Sequence, residues 1–240
     1  MAEFDYALPA ERIAQQPLAE RDAARLLVDR GPGNPPQHRH VRDLPDLLRP
    51  DDVIVVNDTR VIPARLVLQR SSGGAAEVLL LEPLDPVMRC WEALVKPGRK
   101  LRIGERLHDE GEREVVRVGE RRTDGTRAVE LIADDPLALL DELGRMPLPP
   151  YITAPLTDPE RYQTVFARNP GSAAAPTAGL HLTPAVLDAL AARGIERNHV
   201  ELVVGLDTFR PVTVDDAAHH HMHSERYRVP LAVWEACTEA

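Results

Sequence analysis

The chain falls into three regimes of hydrophobic and polar spacing. In the first, ARLLVDR (24–30), the turn-rich GPGNPPQ (31–37) and the residues after it predict a strand, a loop and a second strand. Residues Asp43 to Leu48 predict a short helix. VIVV (53–56) is a continuous β-branched run between Pro50-Asp51-Asp52 and NDTR (57–60), and predicts a strand buried on both faces. From about Ala64 to Ile132 the runs shorten. ARLVLQR, AEVLLLEPL, CWEALVKPG, REVVRVGER and RAVELIA are separated by Gly, Pro or Asp turns, the spacing of a small antiparallel barrel.

Helical spacing then returns. DDPLALLDELG (134–144) has Asp caps, a proline at the start and a closing glycine. RMPLPPYITAPL (145–156) is a proline-stiffened linker. DPERYQTVFAR (158–168) predicts a helix with Asp158 as N-cap and Pro159 in its first turn. Thr183, Pro184 and Gly194 frame a further helix, which feeds the strand IERNHVELVV (195–204) and the loop GLDTFRPV (205–212). The fold class expected is α/β: a mixed-sheet α/β domain (1–63 and 151–240) with a small antiparallel β-barrel domain (64–150) inserted into it. VPLAVWEACTEA (229–240) begins a helix with no closing signal, and the α/β sheet is short of its expected last strands. The sequence therefore reads as cut short at its C-terminus.

Composition sharpens this only slightly. With 43% hydrophobic and 28% charged residues, the 240-residue chain has an ordinary globular make-up. No run suits a membrane span or a secretory signal, and Cys90 and Cys237 imply no disulfide framework. A cytoplasmic setting is expected. The net charge of −9 argues against indiscriminate coating of nucleic acid but permits a local basic site. Only Lys96 and Lys100 are lysines, and both lie in VKPGRKLRIG beside Arg99 and Arg102. That cluster suits either phosphate contacts or a plain charged hairpin rim.

In open α/β sheets, ligands sit beyond the carboxyl ends of strands, where NDTR and GLDTFR fall. His181 lies two residues before the Thr183 cap, at a helix end that attracts anions. HHHMHSE (219–225) lacks the spacing of a zinc site, so no metal is assigned. No GxxxxGK[ST], GxGxxG after a strand, or GxSxG occurs.

FDYALPAERIAQQPLAERDAARLLV, VVNDTRVIPARL, LVKPGRKLRIGERL, MPLPPYI, DPERYQTVFA, APTAGLHLT and MHSERY, in this order, resemble the S-adenosylmethionine:tRNA ribosyltransferase-isomerase family of queuosine biosynthesis. The likeness covers essentially the whole chain, and NDTRVIPARL with APTAGLH is specific. It implies an α/β domain with an inserted barrel. It implies a transferase-isomerase that moves the ribosyl part of S-adenosylmethionine to the 7-aminomethyl-7-deazaguanine base of tRNA. Epoxyqueuosine forms, and adenine and methionine leave. S-adenosylmethionine is then a consumed co-substrate with no further cofactor, the partner is tRNA, no membrane is involved, and a monomer is expected.

In that chemistry His181 and Asp58 are the candidate proton-transfer groups. Asn57, Thr59, Arg60, Thr177, Gly179, Arg210, His223 and Ser224 are candidate substrate-binding residues. Thr177 and Gly179 would let backbone approach the ligand, and Arg60 and Arg210 would hold a carboxylate or phosphate. Segments 57–60 and 176–181 are expected to line one cavity. The family pattern expects His at position 203 and Gly at position 207, where this chain has Val203 and Asp207, and motifs resembling TTSVR and TNFHLP do not occur. An inactive remnant that at most binds substrate or tRNA is the alternative, and a metal-dependent hydrolase using the histidine run is a weaker third.

Overall fold

The structure, a computed structural model, describes residues 6–123, 125–205, 214–219, 222 and 224–239. Its centre is a closed six-stranded antiparallel barrel. The strands are β5 (Arg65–Arg70), β6 (Ala75–Pro83), β7 (Cys90–Lys96), β8 (Arg106–His108), β9 (Glu114–Arg121) and β10 (Arg127–Leu131), in the order β10-β7-β6-β5-β8-β9. Closure leaves no strand edge unpaired. Inward positions alternate along β7, where Trp91, Ala93 and Val95 point into the core. Trp91 is fully buried and its indole N–H donates to the Met88 carbonyl at 2.6 Å. The sequence signalled five of the six strands; the three-residue β8 is too short to show a period.

The other strands make three small sheets. Residues 24–40 form the expected hairpin, β1 (Arg25–Val28) antiparallel to β2 (Gln37–His40). It is followed by a 3-10 turn and the single-turn α1 (Leu44–Leu47). The strand β3 (Val53–Asn57) pairs in parallel with β12 (Glu196–Leu202), whose end pairs with β13 (Tyr227–Arg228). Here the structure corrects the sequence reading: β3 is an edge strand, with Val55 45% exposed and only Val56 buried. Its β-branched residues satisfy strand geometry, yet among the described residues it is the outermost strand of a three-stranded sheet, with a strand neighbour on one side and Val55 left exposed. The third small sheet is β4 (Thr59–Val61) in parallel with β11 (Asn169–Ser172).

The helices α2 (Pro136–Leu143) and α3 (Pro184–Ala192) start as their sequences require. The Asp135 carboxylate accepts from the Ala138 amide at 3.1 Å, and the Thr183 hydroxyl accepts from the Val186 amide at 3.3 Å. Gly194 ends the second with φ +81°, a value L-residues rarely adopt. The α3 residues Val186 and Leu190 pack with Val56, Phe166 and Ile195. A fourth helix, α4, spans Leu231–Glu239. The helix expected over 158–168 is instead a 3-10 turn, Pro159–Tyr162, capped by Asp158. Beyond it Gln163 is extended, because its side chain is needed elsewhere, as described next.

Candidate active site

The chain passes from β3 to β4 through Asp58, and side chains stitch this crossing to β12. The Asn57 amide donates to the Leu202 carbonyl at 2.9 Å and accepts from the Leu202 N–H at 3.1 Å. The Thr59 hydroxyl, on a residue 2% exposed, reaches Asn57 Oδ1 at 3.0 Å and the Leu202 carbonyl at 3.1 Å. Both side chains are thus committed to holding the strand ends together. Asp58 is 8% exposed. Its carboxylate accepts from Asn169 Nδ2 at 3.2 Å and lies 3.8 Å from His199 Nδ1, too far for a hydrogen bond.

His199 carried no sequence signal, because a histidine inside an apolar strand pattern looks like any exposed strand position. It sits edge-on to Phe166 with ring centroids 6.3 Å apart. Among the described residues its buried Nδ1 has no hydrogen-bond partner. Burial, and then the charges of Arg168 and Arg197, push its pKa down; the nearby Asp58 opposes this but does not win. The charged form of the ring is therefore disfavoured even with the Asp58 carboxylate 3.8 Å away.

Thr177–His181 forms a 3-10 turn immediately before the Thr183 cap. Two cavities open against it. The larger, about 610 Å³, lies between the N-terminal segment, the 148–158 linker and this turn, with Leu18, Tyr151, Leu156, Arg161, Tyr162, Thr177 and Leu180 among its walls. The smaller, about 170 Å³, shares Leu18, Arg161, Thr177 and Leu180 and adds Arg21 and His181. Mostly apolar walls with a few polar groups, at this volume, suit a nucleoside-sized ligand. Among the described residues the buried Tyr162 hydroxyl has no hydrogen-bond partner of normal geometry, and burial raises its pKa against the opposing effect of the Ala175 backbone.

The 177–181 turn is held by residues far away in sequence. Arg21 donates to the carbonyls of Gln163 at 2.7 Å and Leu180 at 3.1 Å, and Arg161 donates to those of Leu18 and Ala19. Gly179 is tightly packed within the protein: a Cβ there would stand 3.1 Å from Phe166 Cζ and 3.2 Å from Thr164 Cγ2, so those side chains would have to shift. His181 itself is exposed.

Segments 57–60 and 176–181 are joined through β4, β11 and Gln163, and neither of these two cavities is lined by residues 57–60. The physical reason is burial: Asn57, Asp58 and Thr59 turn toward β12 and Asn169. Arg60 forms an ion pair with Glu160, a neighbour of the cavity-lining Arg161. Ser224 is exposed, and the residues after it return to the end of β12, where Glu225 accepts from the Gly205 amide at 2.9 Å and the Arg226 carbonyl from the Val203 amide at 2.9 Å. Val203 is buried. Arg210, His223 and Asp207 lie outside the described residues.

Among the described residues no group of three or more His, Cys, Asp and Glu could hold a metal ion, and no helix is long and apolar enough to cross a membrane. His220, His221 and His223 are outside that set.

The family model for queuosine biosynthesis proteins matches residues 1–240. Among curated relatives, the S-adenosylmethionine:tRNA ribosyltransferase-isomerase of Symbiobacterium thermophilum is 53% identical, with 95% of this chain and 67% of the relative covered. Those of Moorella thermoacetica (52% identical, 96% and 68% covered) and Desulforamulus reducens (43%, 100% and 70%) bear the same name. The solved S-adenosylmethionine tRNA ribosyltransferase of Thermotoga maritima is 29% identical over 99% of this chain and 65% of that one, with a TM-score of 0.41. The chain spans about two thirds of the length of the curated relatives it matches. With a match running from the first residue to the last, the chain belongs to the queuosine biosynthesis protein family.

Proposed function

We propose that this chain carries out the reaction its relatives are named for. The ribosyl moiety of S-adenosylmethionine is transferred to the 7-aminomethyl-7-deazaguanine base of a tRNA and isomerised to the epoxycyclopentane of epoxyqueuosine. Adenine and methionine leave. The observation that carries this reading is the end-to-end family match together with relatives up to 53% identical. S-adenosylmethionine is a co-substrate consumed in each turnover, and the partners are that molecule and tRNA.

The cavity of about 610 Å³ is the natural seat for the adenosyl part, with Tyr151, Leu156 and Leu180 supplying apolar walls for the base. The sulfonium acidifies the neighbouring 5′-carbon, so a modest base suffices to begin the rearrangement, and adenine departure is helped by a proton or hydrogen-bond donor. His181, at the smaller adjoining cavity, is the proposed proton-transfer group. Burial supports a different part for Asp58: it fixes the β3–β4 crossing and Asn169, and acts on the site through that geometry. Thr177 offers a hydroxyl shared by both cavities.

The test is incubation of the chain with S-adenosylmethionine and tRNA bearing the aminomethyl-deazaguanine base. Release of adenine stoichiometric with modified tRNA is expected. Binding of tRNA without adenine release would identify an inactive remnant and overturn the catalytic reading.

A further inference from the structure

A polyanion can bind a chain of net charge −9 only at a local cationic surface. The β7–β8 connection supplies one. Lys96, Arg99, Lys100 and Arg102 are exposed on it, against a single acid, Glu105. Both oxygens of that acid are engaged: Oε1 accepts from Arg70 Nε at 2.7 Å, and Oε2 accepts from the Arg102 backbone N–H at 2.8 Å. The Arg70 hydrogen bond holds the Glu105 pKa below its ordinary value. Among the described residues no carboxylate forms an ion pair with Arg99, Lys100 or Arg102. Lys96 reaches only Glu77, at 3.5 Å, which Arg65 already holds at 2.8 Å.

Free cations on a hairpin are commonly just a solvated rim. This loop differs in what lies beneath it. Arg127 is 6% exposed, and its guanidinium donates to the carbonyls of Gly98 at 3.1 Å, Leu101 at 2.8 Å and Gly119 at 3.2 Å. Arg70 Nη2 adds the Lys100 carbonyl at 3.2 Å. With three of the four carbonyl groups from Gly98 to Leu101 engaged from below, the loop backbone is tied to the barrel. The loop's own cations remain exposed, and two further guanidinium charges sit behind them. Such ordering lowers the entropy lost on binding.

The loop is also close to the proposed substrate cavity. Lys96 lines a third cavity, of about 440 Å³, together with Leu148 and Ile152, and those two residues also line the cavity of about 610 Å³. We propose that the Lys96–Arg102 loop binds the phosphodiester backbone of the tRNA substrate. This rests on the tRNA reading given above.

The experiment compares tRNA binding by the unaltered chain, by Arg99→Gln/Lys100→Gln, and by Arg30→Gln/Arg39→Gln, which removes the same charge from the β1–β2 hairpin. The probe is tRNA carrying the aminomethyl-deazaguanine base, titrated over a range of salt concentrations. The loop pair is expected to weaken binding about tenfold or more and to flatten the slope of log K against log salt by about 1.5, as loss of two phosphate contacts predicts. The hairpin pair is expected to leave the slope in place. Equal effects of the two pairs, or none from the loop pair, would overturn the loop assignment while leaving tRNA binding intact. Absence of binding by the unaltered chain would overturn the tRNA reading itself, and this inference with it.

Discussion

Gln163 grips Val61 by both ends of its amide. The Val61 N–H donates to Gln163 Oε1 at 3.0 Å, and Gln163 Nε2 donates to the Val61 carbonyl at 2.7 Å. On its other edge β4 pairs with β11 and continues into the Ile62 N–H bond to the Ser172 carbonyl at 3.1 Å. One side chain thus stands in for a missing strand neighbour. It also ties the β3–β4 crossing to the turn whose Tyr162 and Arg161 line the cavity.

Gln163→Ala is expected to destabilise the chain by about 3 kcal/mol, because two buried backbone groups lose their partners at about 1–3 kcal/mol each. Gln163→Glu keeps the acceptor and loses the donor, so it should fall between. Urea unfolding with unchanged m-values would measure both; a loss under about 0.5 kcal/mol for the alanine variant, the scale of a neutral surface change, would refute the clamp.

Two glycines are required for space, and they should respond unequally. A Cβ on Gly144 would stand 2.0 Å from the Pro63 carbonyl oxygen, whereas on Gly179 it meets the Phe166 ring edge at 3.1 Å. Backbone cannot yield as a ring can. Gly144→Ala should therefore cost about 3 kcal/mol, and Gly179→Ala about 1 kcal/mol with a shift of the 177–181 turn. Thermal unfolding of the two variants decides; a reversed order is the adverse outcome.

His181 and Asp58 should separate activity from stability. His181 is exposed, so His181→Ala is expected to change stability by less than about 0.5 kcal/mol. Its adenine release should fall about 100-fold if it transfers a proton. Asp58→Ala should lose about 1 kcal/mol, because the buried carboxylate's hydrogen bond to the exposed Asn169 amide is removed and water can replace it on the Asn169 side. Unchanged turnover in the His181 variant removes that residue from the mechanism.

His199 sets an acid limit on stability. Its folded pKa lies below the ordinary imidazole value of about 6.5, so between the two values the unfolded chain binds more protons. Its contribution is complete above about pH 6.5 and is lost as pH falls through the folded pKa. His199→Phe removes the titrating group, and the decline in melting temperature below pH 6.5 should become shallower. The same slope in both proteins would show that other groups set the acid limit.

Local chemistry was legible in the sequence wherever one segment contains its own reason. Asp135 and Thr183 cap the helices that follow them, GPGNPPQ turns a hairpin, and the short spaced runs between 64 and 132 close as a barrel. In each case donor, acceptor or apolar face is supplied within a few residues. The site was only partly legible. The order of motifs named the family, and Thr177 and His181 do line cavities.

Only the tertiary structure decided the rest. That VIVV is an edge strand depends on how many neighbours β12 brings, and that 158–168 is a turn depends on Gln163 being extended to hold Val61. Asn57 and Thr59 face inward because Leu202, more than 140 residues away, presents the groups they bond. The cavity walls likewise combine residues 14–19, 148–162 and 177–180. Propensity and capping act over one turn or one strand. Burial, close approach and shared cavities arise between segments that the chain order keeps apart.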